Sequence, residues 1–145
     1  MDNKSGTYAL ILESKSAFST KVGKLGRVTG DAGFYIYVGS AFGPGGVEAR
    51  IRHHKKSVAR PRWHLDYIRR FMVLKEIWTT YDSVKREHQW ANVLSSFSRA
   101  KIPFSGFGAS DCSCVSHLIY FDKAPSFQEF VNEVYSTCFF PHNTL

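Results

Sequence analysis

From Gly6 the run Thr7-Tyr8-Ala9-Leu10-Ile11-Leu12 is mostly apolar and β-favouring, and reads as a central strand. The stretch Ser14–Asp31 is polar and punctuated by Gly23, Gly26 and Gly30, with room for a short edge strand. Phe34-Tyr35-Ile36-Tyr37-Val38 is a second strong strand, so the first two β runs are expected to form an antiparallel hairpin with a long connection. Gly43-Pro44-Gly45-Gly46 breaks the chain before a helix over Val47–Lys56. A second helix is expected over Trp63–Phe71, after the interruption at Pro61. Val73–Tyr81 carries the β-branched and aromatic residues of a third strand. In Val84–Ser98 a helical stripe runs through Val84, Ala91 and Leu94, with Glu87 and Trp90 beside it. A loop around Gly106–Ser113 leads to a last strand, Ser116–Phe121. The final helix opens on a capping box, Ser126 with Glu129 three residues later, and its apolar face is Phe127, Phe130, Val131 and Val134. The pattern shows no internal repeat, low-complexity tract or linker. It predicts one mixed α/β (α+β) domain over residues 1–145, a small, mostly antiparallel central sheet flanked by helices.

Composition sharpens this outline at one place. The 145 residues hold 19 Lys and Arg against 12 Asp and Glu, a net charge of +7. Arg50, Arg52, Lys55, Lys56, Arg60, Arg62, Arg69 and Arg70 all fall within one segment whose sole acid is Asp66, and the charges elsewhere balance. A neutral body with one concentrated basic segment points to a polyanionic partner. The segment could also be a solvated face, but its skew exceeds what solubility requires. No apolar run approaches the roughly 18 residues of a membrane span. Met1–Ser5 is short and polar, unlike a secretory signal. Three cysteines, Cys112, Cys114 and Cys138, do not make a disulfide framework. The expectation is a cytoplasmic protein with no membrane partner.

Motifs with strong chemistry are few. The Gly43–Gly46 loop lacks the Lys-Ser/Thr of a phosphate-binding loop, and neither a GxSxG elbow nor an HExxH helix is present. What remains is a sparse polar set: Gly6-Thr7-Tyr8 opening the first strand, Tyr37-Val38-Gly39 ending the second, Arg50 and His54 four apart on one helix face, and the carboxylate of Glu87. Taken singly, each has a plain structural role open to it. The tyrosines suit a strand core, Arg50 a solvated helix face, and Glu87 a surface pair with Arg86 or Lys85. Cys112-Ser113-Cys114 with His117 could supply three zinc ligands, with His64 or Cys138 as a fourth, or could be two small buried thiols beside a strand.

Together these residues resemble the GIY-YIG nuclease superfamily. Gly6-Thr7-Tyr8 and Tyr37-Val38-Gly39 match its two signature tripeptides, Val47, Arg50 and His54 its first helix, and Glu87 its metal-binding carboxylate. Gly33–Gly43, Trp63–Tyr67, Gly106–Cys112 and Ser116-His117-Leu118 are similar to a small prokaryotic branch, the Uri-type or DUF123 proteins, so the likeness runs from Gly6 to Phe121. Thr7 and Val38 stand where the signatures have isoleucine, the tripeptides lie farther apart than in compact members, and the family's late asparagine has only Asp111 as a counterpart.

The resemblance implies an endonuclease cutting phosphodiester bonds, in DNA before RNA, with one Mg²⁺ or Mn²⁺. Tyr37 would accept or relay the proton of the attacking water. Arg50 would assist it and grip phosphate, His54 and Tyr8 would polarise the water or donate to phosphate, and Glu87 would hold the metal. The basic residues Arg52, Lys55, Lys56, Arg60, Arg62 and Arg69, with His64, would contact the nucleic-acid backbone. Trp63-His64-Leu65-Asp66-Tyr67 reads equally as a substrate-contacting element or as a helix start, with Trp63 and Tyr67 inward and Asp66 bridging to an arginine. The other function open to the sequence is a nucleic-acid-binding module of the same fold without catalysis.

Overall fold

The computed structural model describes residues 4–56, 60–107 and 116–134, and the backbone of 142–143. Among the described residues, four helices pack on an antiparallel sheet, with a small hairpin sheet beside it. The strands are β1 (Gly6–Ser14), β2 (Phe18–Val22), β3 (Gly26–Gly30), β4 (Gly33–Ala41), β5 (Val73–Tyr81), β6 (Leu118–Phe121) and the two-residue β7 (His142–Asn143). The helices are α1 (Gly46–His54), α2 (His64–Ile68), α3 (Glu87–Ser95) and α4 (Phe127–Val134). The main sheet has the order β6-β4-β1-β5-β7, and every described pairing in it is antiparallel. The expected hairpin of the first two strong strands is present as β1 beside β4. Among the described residues no helix is long and apolar enough to cross a membrane.

Strand alternation separates two cores. Tyr8, Leu10, Leu12, Tyr35 and Tyr37 face one side, where Val47 and Ile51 of α1 and Leu65 and Ile68 of α2 cover them. Ala9, Ile11, Ile36, Val38 and Trp78 face the other, against Trp90 and Leu94 of α3 and Phe130 and Val134 of α4. Helices α1 and α3 therefore lie on opposite faces of the sheet, and can meet only around a sheet end.

The polar stretch after β1 departs from expectation. It forms a complete hairpin, β2–β3, in a sheet of its own. Phe18, Val22 and Val28 turn inward while Ser19, Lys21, Arg27 and Thr29 stay exposed or half-buried. Phe18 stacks on Phe71 with ring centroids 5.0 Å apart, so the hairpin is held from outside its own sequence.

Other boundaries move for local reasons. The expected Trp63–Phe71 helix is α2 followed by a tighter turn, Arg69–Phe71. Helix α3 starts at Glu87, later than expected, because residues 82–86 form a separate turn. In that turn Asp82 Oδ1 accepts the Val84 N–H at 2.8 Å, and Arg86 pairs with Asp82 at 2.8 Å. The capping box of α4 is present as read: Ser126 Oγ accepts the Glu129 N–H at 3.0 Å, and Glu129 Oε1 accepts the Ser126 N–H at 2.8 Å.

Candidate functional site

The residues singled out along the chain meet at the sheet end where β1 begins and β4 finishes. Tyr8 stands opposite Gly39 in the β1–β4 ladder, and Leu10 opposite Tyr37. The close approaches there demand glycine. A Cβ on Gly6 would collide with the Thr80 carbonyl oxygen, and one on Gly39 would lie 2.5 Å from the Tyr8 hydroxyl. Both tripeptide glycines therefore have a steric reason to be there.

Helix α1 delivers two functional faces at once. Val47, Ile51 and His54 fall on its buried stripe, which carries His54 to full burial under the sheet. His54 Nε2 lies 3.1 Å from the Tyr8 hydroxyl, and its ring meets Tyr37 with centroids 5.8 Å apart. Burial pushes the His54 imidazole down to about 4, against the pull of Asp66, so it is neutral at pH 7. Arg50 and His53 sit on the adjacent, half-buried face. Arg50 Nη1 donates to the Ser40 carbonyl at 2.9 Å, and its guanidinium lies 4.3 Å from the Trp63 ring centroid. Arg62 lies over the same indole at 4.8 Å. Arg50, His53, Arg62 and Trp63, with Gly43 and Pro44, line a cleft of about 240 Å³.

Glu87 reaches this end of the sheet from the opposite face. Its helix start is tied to β1, because the Arg86 N–H donates to Thr7 Oγ1 at 3.1 Å. The hydroxyl at position 7 thus has a structural task that isoleucine could not perform. Glu87 Oε1 accepts from Ser40 Oγ at 2.7 Å, and Oε2 lies 2.7 Å from His117 Nδ1. Burial works against the charged carboxylate, but these two partners outweigh it and hold Glu87 below the usual range. Its partners are therefore Ser40 and His117, while Arg86 pairs with Asp82. Ser40 joins the faces, its carbonyl on Arg50 and its hydroxyl on Glu87.

Burial dominates both tyrosines. It pushes the Tyr8 phenol up to about 12 despite Arg50, and lifts Tyr37 well above its ordinary value. Both are protonated near neutrality. Arg50 lowers each phenol, as the sequence reading required, but loses to desolvation.

The basic segment divides. Arg52, Lys55, Lys56, Arg60 and Arg62 are exposed, and His64 is half-buried against Phe107 at 5.4 Å. Arg69 is a correction to the expected backbone contacts. It is buried, and donates to the carbonyls of His54 at 2.6 Å, Lys55 at 2.9 Å and Met72 at 2.7 Å. Two of these acceptors close the C-terminus of α1, which otherwise leaves carbonyls unpaired. Asp66 is a second correction, since among the described residues it bridges to no arginine side chain. Its Oδ2 accepts the backbone N–H groups of Arg62 at 2.8 Å and Trp63 at 3.0 Å, and His53 Nε2 lies 3.0 Å from each carboxylate oxygen. Cys112, Cys114, Cys138 and Asp111 lie outside the described residues, whereas His117 is engaged with Glu87.

Sequence reading missed Ser40, His53 and the partnership of His117. Ser40 directly follows the second tripeptide, but its partner is 47 residues away, and no local pattern announces it.

The family model for the domain of unknown function DUF123 matches residues 7–140. The chain belongs to the DUF123 family. No curated protein and no solved structure matches this DUF123 chain.

Proposed function

We propose that this DUF123 protein is a divalent-metal-dependent endonuclease of GIY-YIG type that hydrolyses phosphodiester bonds in DNA. The observation that carries the reading is the convergence of Tyr8, Tyr37, Arg50 and His54 with Glu87, which Ser40 links to Arg50 from across the sheet. A purely structural cluster has no need to gather two tyrosines, an arginine and an ionised carboxylate about one strand end.

Each side chain then has a task. Arg50, fixed by Ser40 and the Trp63 indole, presents its remaining donors to two phosphate oxygens. Tyr37, a neutral phenol against His54, orients the attacking water through its oxygen and relays its proton, accepting it on the phenol oxygen as its own O–H proton passes on to solvent. His54 acts through Tyr8, whose ring it fixes by the hydroxyl contact, since full burial keeps it from the substrate. The exposed residues Arg52, Lys55, Lys56, Arg60 and Arg62 hold the backbone by charge.

The Glu87 carboxylate fits a hard divalent ion. It is ionised, and each oxygen keeps a lone pair beyond its Ser40 or His117 partner. Mg²⁺ or Mn²⁺ there would neutralise charge on the leaving oxygen.

A second reading, a nucleic-acid-binding module without catalysis, draws support from the same pairing of Glu87 with His117, which gives the carboxylate a structural partner. Binding and cleavage of labelled DNA by the parent and Glu87→Ala separate the two. The nuclease reading expects binding to persist in the variant while cleavage is lost. Salt-sensitive binding with no cleavage by the parent would support the module.

A further inference from the structure

A second cluster shares His54 with the proposed catalytic set and is chemically unlike Glu87. His53 Nε2 is 3.0 Å from both oxygens of Asp66, and His54 Nδ1 is 3.8 Å from Asp66 Oδ1. The three ligand atoms all lie within 4.8 Å of one another. We propose that His53, His54 and Asp66 form a binding site for a transition-metal ion of the zinc type.

Three observations support the assignment. His54 is wholly buried, and its Nδ1 has no hydrogen-bond partner among the described residues, an unsatisfied acceptor or donor that burial makes costly. That atom faces the carboxylate, and a metal between them would satisfy it. The opposite ring nitrogen is already held by the Tyr8 hydroxyl, the kind of outer contact that fixes a metal-binding imidazole. Asp66 is likewise pre-set, because two backbone N–H groups hold Oδ2 and leave Oδ1 toward both imidazoles.

The ligand set selects the ion. Two imidazoles and one carboxylate suit zinc and its neighbours, whereas Mg²⁺ prefers oxygen alone. Tetrahedral zinc with bonds near 2 Å spaces its ligand atoms about 3.3 Å apart. The separations of 3.0 and 3.8 Å bracket that value, and the two imidazole nitrogens lie within 4.8 Å of each other. Three protein ligands leave one coordination position open. His53 also lines the cleft shared with Arg50 and Arg62, which gives the ion a route from solvent. The open position would thus lie beside two guanidinium groups, an arrangement that favours an anion as fourth ligand.

Titration of the metal-stripped chain with Co²⁺, then competition with Zn²⁺, tests the site without reference to nuclease activity. The expected result is one tightly held ion per chain in the Glu87→Gln variant as in the parent, with visible absorption of tetrahedral cobalt and no thiolate charge-transfer band. His53→Ala should weaken Zn²⁺ by at least about tenfold. Glu87→Gln and the combined Cys112→Ser, Cys114→Ser, Cys138→Ser variant should bind as the parent does. Because His53 is partly exposed, His53→Ala is expected to fold, and circular dichroism checks this. If it does not, His53→Gln takes its place, and cobalt absorption of the cysteine-free variant decides independently. Absence of saturable binding, retention of full affinity without His53, or loss of binding with the cysteines would overturn the proposal.

Discussion

Tyr8 faces Gly39 across the β1–β4 ladder, and its hydroxyl occupies the space that a side chain at position 39 would need. The same hydroxyl contacts His54, which in turn packs against Tyr37. Gly39→Ala would place its Cβ 2.5 Å from the oxygen of the buried Tyr8 ring. Overpacking of this kind costs about 1–3 kcal/mol. Denaturant unfolding should show that loss, while Gly43→Ala, with nothing within 4 Å of its added Cβ, stays within about 0.5 kcal/mol of the parent.

Arg69 and Arg62 carry the same charge and opposite duties. Removing Arg69 strips the carbonyls of His54 and Met72, both in buried bonds, and that of Lys55 of their donor, and Arg69→Ala should cost about 2–4 kcal/mol. At a temperature where it remains folded, its affinity for duplex DNA should match the parent's. Arg62→Ala should leave stability unchanged and lower the slope of log affinity against log salt by about 0.9. Thermal melts and binding across a salt series read both effects.

Several phenols titrate late. Burial raises Tyr35, whose hydroxyl donates to the Asp31 carbonyl at 2.6 Å, and lifts Tyr8 to about 12. A raised pKa means that the fold favours the neutral phenol. The stabilisation is therefore complete below the unfolded value of about 10 and is lost as pH rises past it toward the folded value. Urea unfolding should accordingly show stability falling above pH 10. Tyr35 lies away from the proposed site and gives the cleaner comparison. Tyr35→Phe should start from a lower stability but decline less steeply, by up to about 1.4 kcal/mol per pH unit.

Residues with local signals were read correctly. Val73–Tyr81 is β5 to the residue, and the Ser126–Glu129 box caps α4, because alternation and capping act over a few positions. The β2–β3 hairpin escaped because its polar face dominates its composition, and Phe18 finds its stacking partner in Phe71 only after folding. The tyrosines, Arg50 and Glu87 were legible as a set, but Ser40 and His117, which hold Glu87, were not, since both contacts depend on tertiary approach. Arg69 was misread because a charge count is blind to burial. Its partners become available only where α1 ends beside it.

Glu87 is the residue on which the nuclease reading stands. The decisive measurement is cleavage of single-stranded, duplex, flap and junction DNA by the parent and Glu87→Ala across a Mg²⁺ and Mn²⁺ titration. The expected result is metal-dependent cutting of at least one substrate by the parent, reduced about 10²–10³-fold or more in the variant, as for removal of a principal charge-stabilising group. Cutting by both proteins at equal rates, or by neither on any substrate, would contradict it.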